Sequence, residues 1–184
     1  LRATRKIHDY SKEQNRHPIN AYQAEHTTQQ SKQKTQQPEQ SMSTDEFHIS
    51  TNKSLLDIDA IHGFLSTKAY WCMNIPRERV EASIRNSLCF GVYQGLRQIG
   101  FARVISDFAT IAYLGDVYIL EEHRRKGLSK KLMTTIMNHE DLRGLRRWIL
   151  LTSDAHELYR QFGWTTIADP TKWMEIHNKN VYLE

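Results

Sequence analysis

The chain has 184 residues, with 25 Lys and Arg against 21 Asp and Glu, and two cysteines. Two cysteines exclude a disulfide-stapled scaffold, and no apolar run of about 18 residues marks a membrane-spanning helix. The positive excess sits mostly in residues 1–44, which carry a net +3 against +1 for the remainder. That balance argues against the folded part as a general nucleic-acid binder.

Residues 1–44 are rich in Gln, Lys, Ser, Thr and His, and residues 29–40 form a polar low-complexity tract. Such a segment cannot bury enough apolar surface to offset its chain entropy, so the composition predicts a disordered tail. Met42 precedes the first structured pattern and reads as the natural start; a native basic tail is the alternative. Residues 45–184 suit one domain with its own core. Cys72 and Cys89 sit in apolar contexts and read as buried free thiols, and a reducing, cytoplasmic setting is expected.

Residues 47–50 read as a short strand. Ser54 to Asp57 reads as a capping box for a helix that buries Ile58, Ile61 and Leu65. The stretch Tyr70 to Pro76 breaks the pattern, and Pro76 suits the first turn of a second helix with Val80 and Ile84 inside. Residues 88–93 and 98–106 read as a hairpin around Gly95. Residues 111–120 form a long strand that is apolar on both faces, as a covered central strand is. Gly115 interrupts it and marks a bulge or a close backbone approach. A basic turn, Arg124 to Ser129, follows. It opens a helix with Leu128, Leu132, Met133, Ile136 and Met137 on its apolar stripe, ending near residues 139–141. Residues 147–152 read as another strand. A helix then carries Ala155, Leu158, Tyr159 and Phe162, is capped by Asp154 with Glu157, and ends at Gly163. Residues 164–168 and 173–176 read as closing strands. The order defines a mixed α/β (α+β) domain: a largely antiparallel sheet containing one parallel pair, flanked by helices.

A strand, a basic glycine turn and a helix together build an anion site. The first amides of a helix lack internal acceptors, and the dipole adds partial positive charge there. The turn Arg124-Arg125-Lys126-Gly127-Leu128-Ser129 also resembles the phosphate-binding signature of the GCN5-related N-acetyltransferase (GNAT) superfamily. That signature is Gln or Arg, two residues, Gly, one residue, then Gly or Ala; here serine stands at the last position. Downstream, Ala155, Tyr159 and Gly163-Trp164 match the family's second motif. The resemblance covers roughly residues 88–165.

The resemblance implies an acetyl-coenzyme-A-dependent N-acetyltransferase that acetylates an amine directly, with no metal. The backbone of Arg124, Arg125, Lys126, Gly127, Leu128, Ser129 and Lys130 would hold the pyrophosphate. The backbone of Val117, Tyr118 and Ile119, on a strand splayed from its neighbour, would hold the pantetheine arm. An amide of Val117 or Ile119 would face the thioester oxygen. Tyr159 is placed as the general acid for the leaving thiolate. Asp116 is either the base, directly or through a water, or a structural and acceptor-orienting carboxylate; Gly115 stands where some relatives carry a second one. Asp107, Glu121, His123 and His156 are the poorer candidates. Tyr70, Trp71, Met73 and Phe108 would line a site for a small-molecule amine, although ordinary core packing is the preferred reading for Trp71. A homodimer is compatible with this reading, and membrane and nucleic-acid partners are not expected. A non-catalytic acyl-coenzyme-A-binding module is the alternative.

Overall fold

The computed structural model describes residues 46–183. All of them fall within one compact unit, and the expectation for residues 1–44 lies outside the described residues. Five strands run in sequential order: β1 (Phe47–Ser50), β2 (Leu88–Gln94), β3 (Arg97–Ser106), β4 (Ile111–Ile119) and β5 (Arg147–Ile149). The first four pair antiparallel. β5 joins β4 in parallel, because the helix between them returns the chain to the same end.

Helices cover both faces of the sheet. α1 (Ile58–Thr67) and α2 (Arg77–Arg85) bury Ile61, Phe64, Leu65, Val80 and Ile84 against Cys89, Phe101 and Tyr118. α3 (Leu128–Met137) and α4 (His156–Arg160) lie on the other face. There Leu128, Leu132, Met133, Ile136 and Tyr159 pack on Phe90, Val92, Val104, Ala112 and Leu114. The four-residue periodicity of α3 thus points its whole stripe at the sheet.

Several local expectations are corrected. Ser54 caps nothing: Asn52 accepts its amide and starts a 3-10 turn, and Asp57 caps α1 by accepting from Ala60. Pro76 stands at the cap of α2, one residue before its first turn. α3 ends at Met137, ahead of a separate 3-10 turn over Glu140–Leu142. Asp154 and Glu157 do not cap α4: Thr152 Oγ1 takes the Ala155 amide, and Glu157 pairs with Arg160. Residues 164–168 and 173–176 form no strands, and a 3-10 turn over Pro170–Lys172 lies between them. β5 is short, so its outer edge offers no ladder long enough to recruit them.

The feature that positions the site is an irregularity in β4. Phe101 pairs with Tyr118 and Arg103 with Gly115, so two steps on β3 oppose three on β4. The extra residue reverses the alternation of faces. Ala112 and Leu114 point to the α3 side before it, and Val117 and Ile119 do so after it, leaving Tyr118 on the α1 side. The sequence places the irregularity correctly at Gly115, but the left-handed residue is its neighbour Asp116, at φ 53°.

Candidate active site

β4 and β5 part company early. Their register ends at Tyr113 with Ile149, while β4 continues to Ile119 against β3 alone. The amide of Leu120 donates to the Ile99 carbonyl (2.8 Å). In an antiparallel ladder alternate residues bond to the same neighbour. Tyr118 therefore also turns its backbone groups to β3, and Val117 and Ile119 turn theirs toward the gap left by β5. The Ile119 carbonyl is already taken by Arg124 Nε (3.1 Å). The amides of Val117 and Ile119 are the donors this geometry presents to a ligand in the gap.

The chain leaves the gap through a 3-10 turn, Glu121–His123, and reaches α3 by two left-handed residues, Arg125 (φ 62°) and Gly127 (φ 75°). This turn curls the backbone so that the amides of Arg125 to Lys130 find no acceptor among the described residues; the first closed bond is Lys131 to Gly127 (3.0 Å). Consecutive unpaired amides at a helix start make an anion cradle. A side chain at Gly127 would meet nothing within 4 Å, so only the left-handed backbone requires glycine there. The basic side chains divide. Arg124 caps β4 and Lys126 lies over the Phe47 ring (5.8 Å), while Arg125 and Lys130 are exposed. The side chain of Leu128 is buried in the core, so Leu128 offers the cradle only its amide, and Ser129 is half-buried.

Tyr159 is 8% exposed, with its ring tilted against Trp164 (6.1 Å between centroids). Burial pushes its phenol up to about 12, and Asp154, Tyr70 and Tyr113 lie close enough to add to the effect. Tyr159 belongs to the same core cluster as Ala112 of β4 and Trp148 of β5, which pair one step before the two strands separate. The phenol is neutral at pH 7, and the upward shift makes it a weaker proton donor than an exposed tyrosine.

Asp116 is differently engaged. Arg103 Nε donates to its Oδ2, and Trp71 Nε1 donates to its Oδ1 at 3.1 Å. The pair is largely enclosed, with 10% of the Asp116 side chain and 18% of the Arg103 side chain exposed. Holding a non-glycine residue in the left-handed region costs roughly 1 kcal/mol or more, which surrounding contacts must offset. Arg103 also reaches Ser87 Oγ (3.4 Å). Trp71 meets Tyr70 edge to face (5.0 Å), and the Tyr70 hydroxyl accepts from the amide (3.1 Å) and the hydroxyl (2.6 Å) of Ser153. A continuous chain of contacts therefore runs from the loop before α4, through the break between α1 and α2, to the bulge of β4.

The sequence reading missed Arg103, Tyr113 and Ser153. A signal for Arg103 existed: it is the only charged residue in 98–106, and Asp116 is the only one in 111–120. Lone opposite charges on two strands of one hairpin ask to be paired. The poorer candidates find structural places. Asp107 accepts from the Ala109, Thr110 and Ile111 amides and the Thr110 hydroxyl, which hold its carboxyl far below the usual range. Glu122 pairs with Arg97 (3.0 Å), Glu121 is exposed, and His156 is exposed at the start of α4. His123 is buried against Phe47, with neither ring nitrogen bonded among the described residues. Met73 and Phe108 are about half exposed. The two thiols are unpaired and inert, pushed up by burial to about 12 for Cys72 and about 11 for Cys89. No group of three or more His, Cys, Asp or Glu among the described residues could hold a metal, and no described helix is long and apolar enough to cross a membrane.

A splayed parallel pair ending in an amide-lined basic turn is the architecture of acyl-coenzyme-A-binding transferases, and comparison with known proteins agrees. Residues 85–166 match the family model described as Acetyltransferase (GNAT) domain. A Gibberella zeae protein, provisionally named an acetyltransferase, is 35% identical over 136 residues, which are 62% of this chain and 76% of that one. A crystal structure from Xanthomonas campestris pv. campestris, provisionally assigned as a GNAT-family acetyltransferase, is 51% identical. It superposes with a TM-score of 0.73 over 74% of this chain and 96% of that one. A Clostridium acetobutylicum structure containing acetyl-CoA shares the fold alone, at 13% identity and a TM-score of 0.55, over 72% of this chain and 95% of that one. The chain belongs to the GNAT family of acetyltransferases.

Proposed function

We propose that the protein transfers an acetyl group from acetyl coenzyme A directly to the amine of a small molecule. The observation that carries this reading is two groups of backbone amides without acceptors among the described residues, separated by a turn whose Leu120, His123 and Arg124 amides are bonded. One group is Val117 and Ile119 in the β4–β5 gap, and the other is Arg125 to Lys130 at the start of α3. That arrangement suits a ligand with a pyrophosphate at one end and a carbonyl thioester at the other. The family membership and the acetyl-CoA in the Clostridium acetobutylicum relative support the same donor.

In the proposed mechanism the cradle binds the pyrophosphate and fixes the depth of the thioester. An amide of Val117 or Ile119 donates to the thioester oxygen and stabilises the oxyanion as the neutral amine adds. The added nitrogen gives up its surplus proton to water, and the tetrahedral intermediate collapses to an amide. The sulfur leaves as thiolate and takes its proton from Tyr159, and the phenolate so formed regains a proton from solvent. Proximity in the enclosed gap converts a bimolecular encounter into an oriented one.

The test is calorimetric titration of the full chain with acetyl coenzyme A, followed by thiol release across a panel of small amines. Binding that weakens with salt, together with thiol release dependent on one class of amine, is expected. Absence of acetyl-coenzyme-A binding refutes the reading. The occupied oxygens of Asp116 favour one alternative, a non-catalytic acyl-coenzyme-A-binding module. Tight binding with no thiol release for any amine would select it.

A further inference from the structure

Asp116 combines three properties that a general base should not have. Both of its oxygens already accept hydrogen bonds, from Trp71 and Arg103. Its side chain is nine-tenths enclosed. It also sits in a left-handed conformation at the one place where β4 gains a residue over β3. A base must meet the ammonium, and here the carboxylate's charge is matched by Arg103 while nine-tenths of its side chain is enclosed. The next residue, by contrast, is Val117, whose amide points into the β4–β5 gap.

The two partners of Asp116 come from separate parts of the fold. Arg103 rises from β3 and is steadied by Ser87, whose hydroxyl donates to the Ser83 carbonyl (2.7 Å) in α2. Trp71 belongs to the break after α1 and is braced by Tyr70, which holds Ser153 before α4. Gly115 leaves room for the Tyr113 ring, which a Cβ would approach to 3.1 Å. β3, the end of α2, the break after α1 and the loop before α4 are thus linked, through one carboxylate, to the residue that turns the strand.

We propose that Asp116 is a positioning residue: its clamp by Arg103 and Trp71 holds the β4 bulge and so aims the Val117 amide at the thioester oxygen. This rests on the acetyltransferase reading. The clamp is an internally neutralised pair, so the acceptor's ammonium is not bound by Asp116. The carboxylate acts through backbone geometry and exchanges no proton with substrate.

The experiment needs no acceptor. Affinities for acetyl coenzyme A and for free coenzyme A are measured by calorimetry on the full chain. Their ratio reports the hydrogen bond to the thioester, worth about two- to tenfold. In Asp116→Ala the ratio should fall to about one while free coenzyme A still binds within about twofold of wild type, which also shows that the variant is folded. Arg103→Met/Asp116→Gly removes both buried charges and installs a residue that adopts a positive φ without strain. With neither a buried charge nor backbone strain left, its ratio should still fall to about one, because the clamp is gone. An unchanged ratio in Asp116→Ala overturns the proposal. So does a wild-type ratio in the double variant, because the bulge would then aim the amide without the clamp. If Asp116→Ala does not fold, Trp71→Phe, which removes only the indole donor, should lower the ratio, and an unchanged value there also overturns it. A wild-type chain that binds neither form of coenzyme rejects the acetyltransferase reading instead, a result distinct from any of these.

Discussion

Replacing Tyr159 by phenylalanine removes one oxygen and leaves the ring where it packs. The ring contributes to the α3 side of the core and meets Trp164 at 6.1 Å. Hydrogen bonding plays no part in the upward shift of its phenol, which comes from burial first and then from Asp154, Tyr70 and Tyr113. Deleting a hydroxyl that anchors nothing should therefore change stability by less than about 0.5 kcal/mol, below the net worth of a typical internal hydrogen bond. Coenzyme affinity should stay within about twofold, because the cradle and the β4 amides are untouched. Turnover should fall about 100-fold or more, the usual contribution of a positioned general acid, since the thiolate must then leave unprotonated or wait for water. The assay is thiol release with an amine that the wild type accepts, run beside calorimetry and a thermal melt. A Tyr159→Phe enzyme turning over within about threefold of wild type, with normal coenzyme binding, refutes the acid role and leaves Tyr159 as a core aromatic.

Three further outcomes follow from the same geometry. A Cβ at Gly100 would lie 2.6 Å from Ile119 Cδ1 and 2.8 Å from the Tyr118 carbonyl. Gly100→Ala should thus cost about 1–3 kcal/mol in denaturant unfolding and weaken acetyl-coenzyme-A binding by displacing β4; normal stability and binding together would contradict the close approach. At Gly127 there is space but a φ of 75°, so Gly127→Ala should cost about 1 kcal/mol through backbone strain and loosen the pyrophosphate cradle, as read by melting and by coenzyme titration. Burial raises Tyr93 and Tyr159 from 10.0 to about 12 and Cys89 from 9.0 to about 11. The unfolded chain therefore ionises first. This contribution to stability is intact below about pH 9 and declines as pH rises toward 12; an unfolding free energy flat across that interval would show these groups to be solvated.

Much of the fold was readable because it follows periodicity. The stripe of α3 and the apolar runs of β2, β3 and β4 occur where spacing puts them. What failed was local competition for single hydrogen bonds. Ser54 looks like a cap, but Asn52 accepts its amide first and Asp57 performs the capping three residues later. Asp154 and Glu157 have the spacing of a capping pair, yet Thr152 and Arg160 claim the bonds. Residues 164–168 and 173–176 have strand composition, but β propensity is realised only where a neighbouring edge offers partners, and β5 has three residues.

The site divides along the same line. The amide-lined turn was legible because a glycine with flanking basic residues is the sequence requirement for exposing backbone amides at a helix start. Tyr159 is legible as a helix residue on the apolar stripe, and the structure buries it. Asp116 was legible only as a carboxylate near a glycine, which is why base and structural anchor could not be separated. Its role depends on what its two oxygens touch, and those partners, Trp71 and Arg103, lie 45 and 13 residues away in sequence. A lone acid in one strand of a hairpin and a lone base in the other are the visible trace of that pairing. Where such a pair closes over a bulge, the acid is better read as a fastener for the backbone than as a reagent, because its charge is already matched by an arginine and its enclosure keeps an incoming amine away.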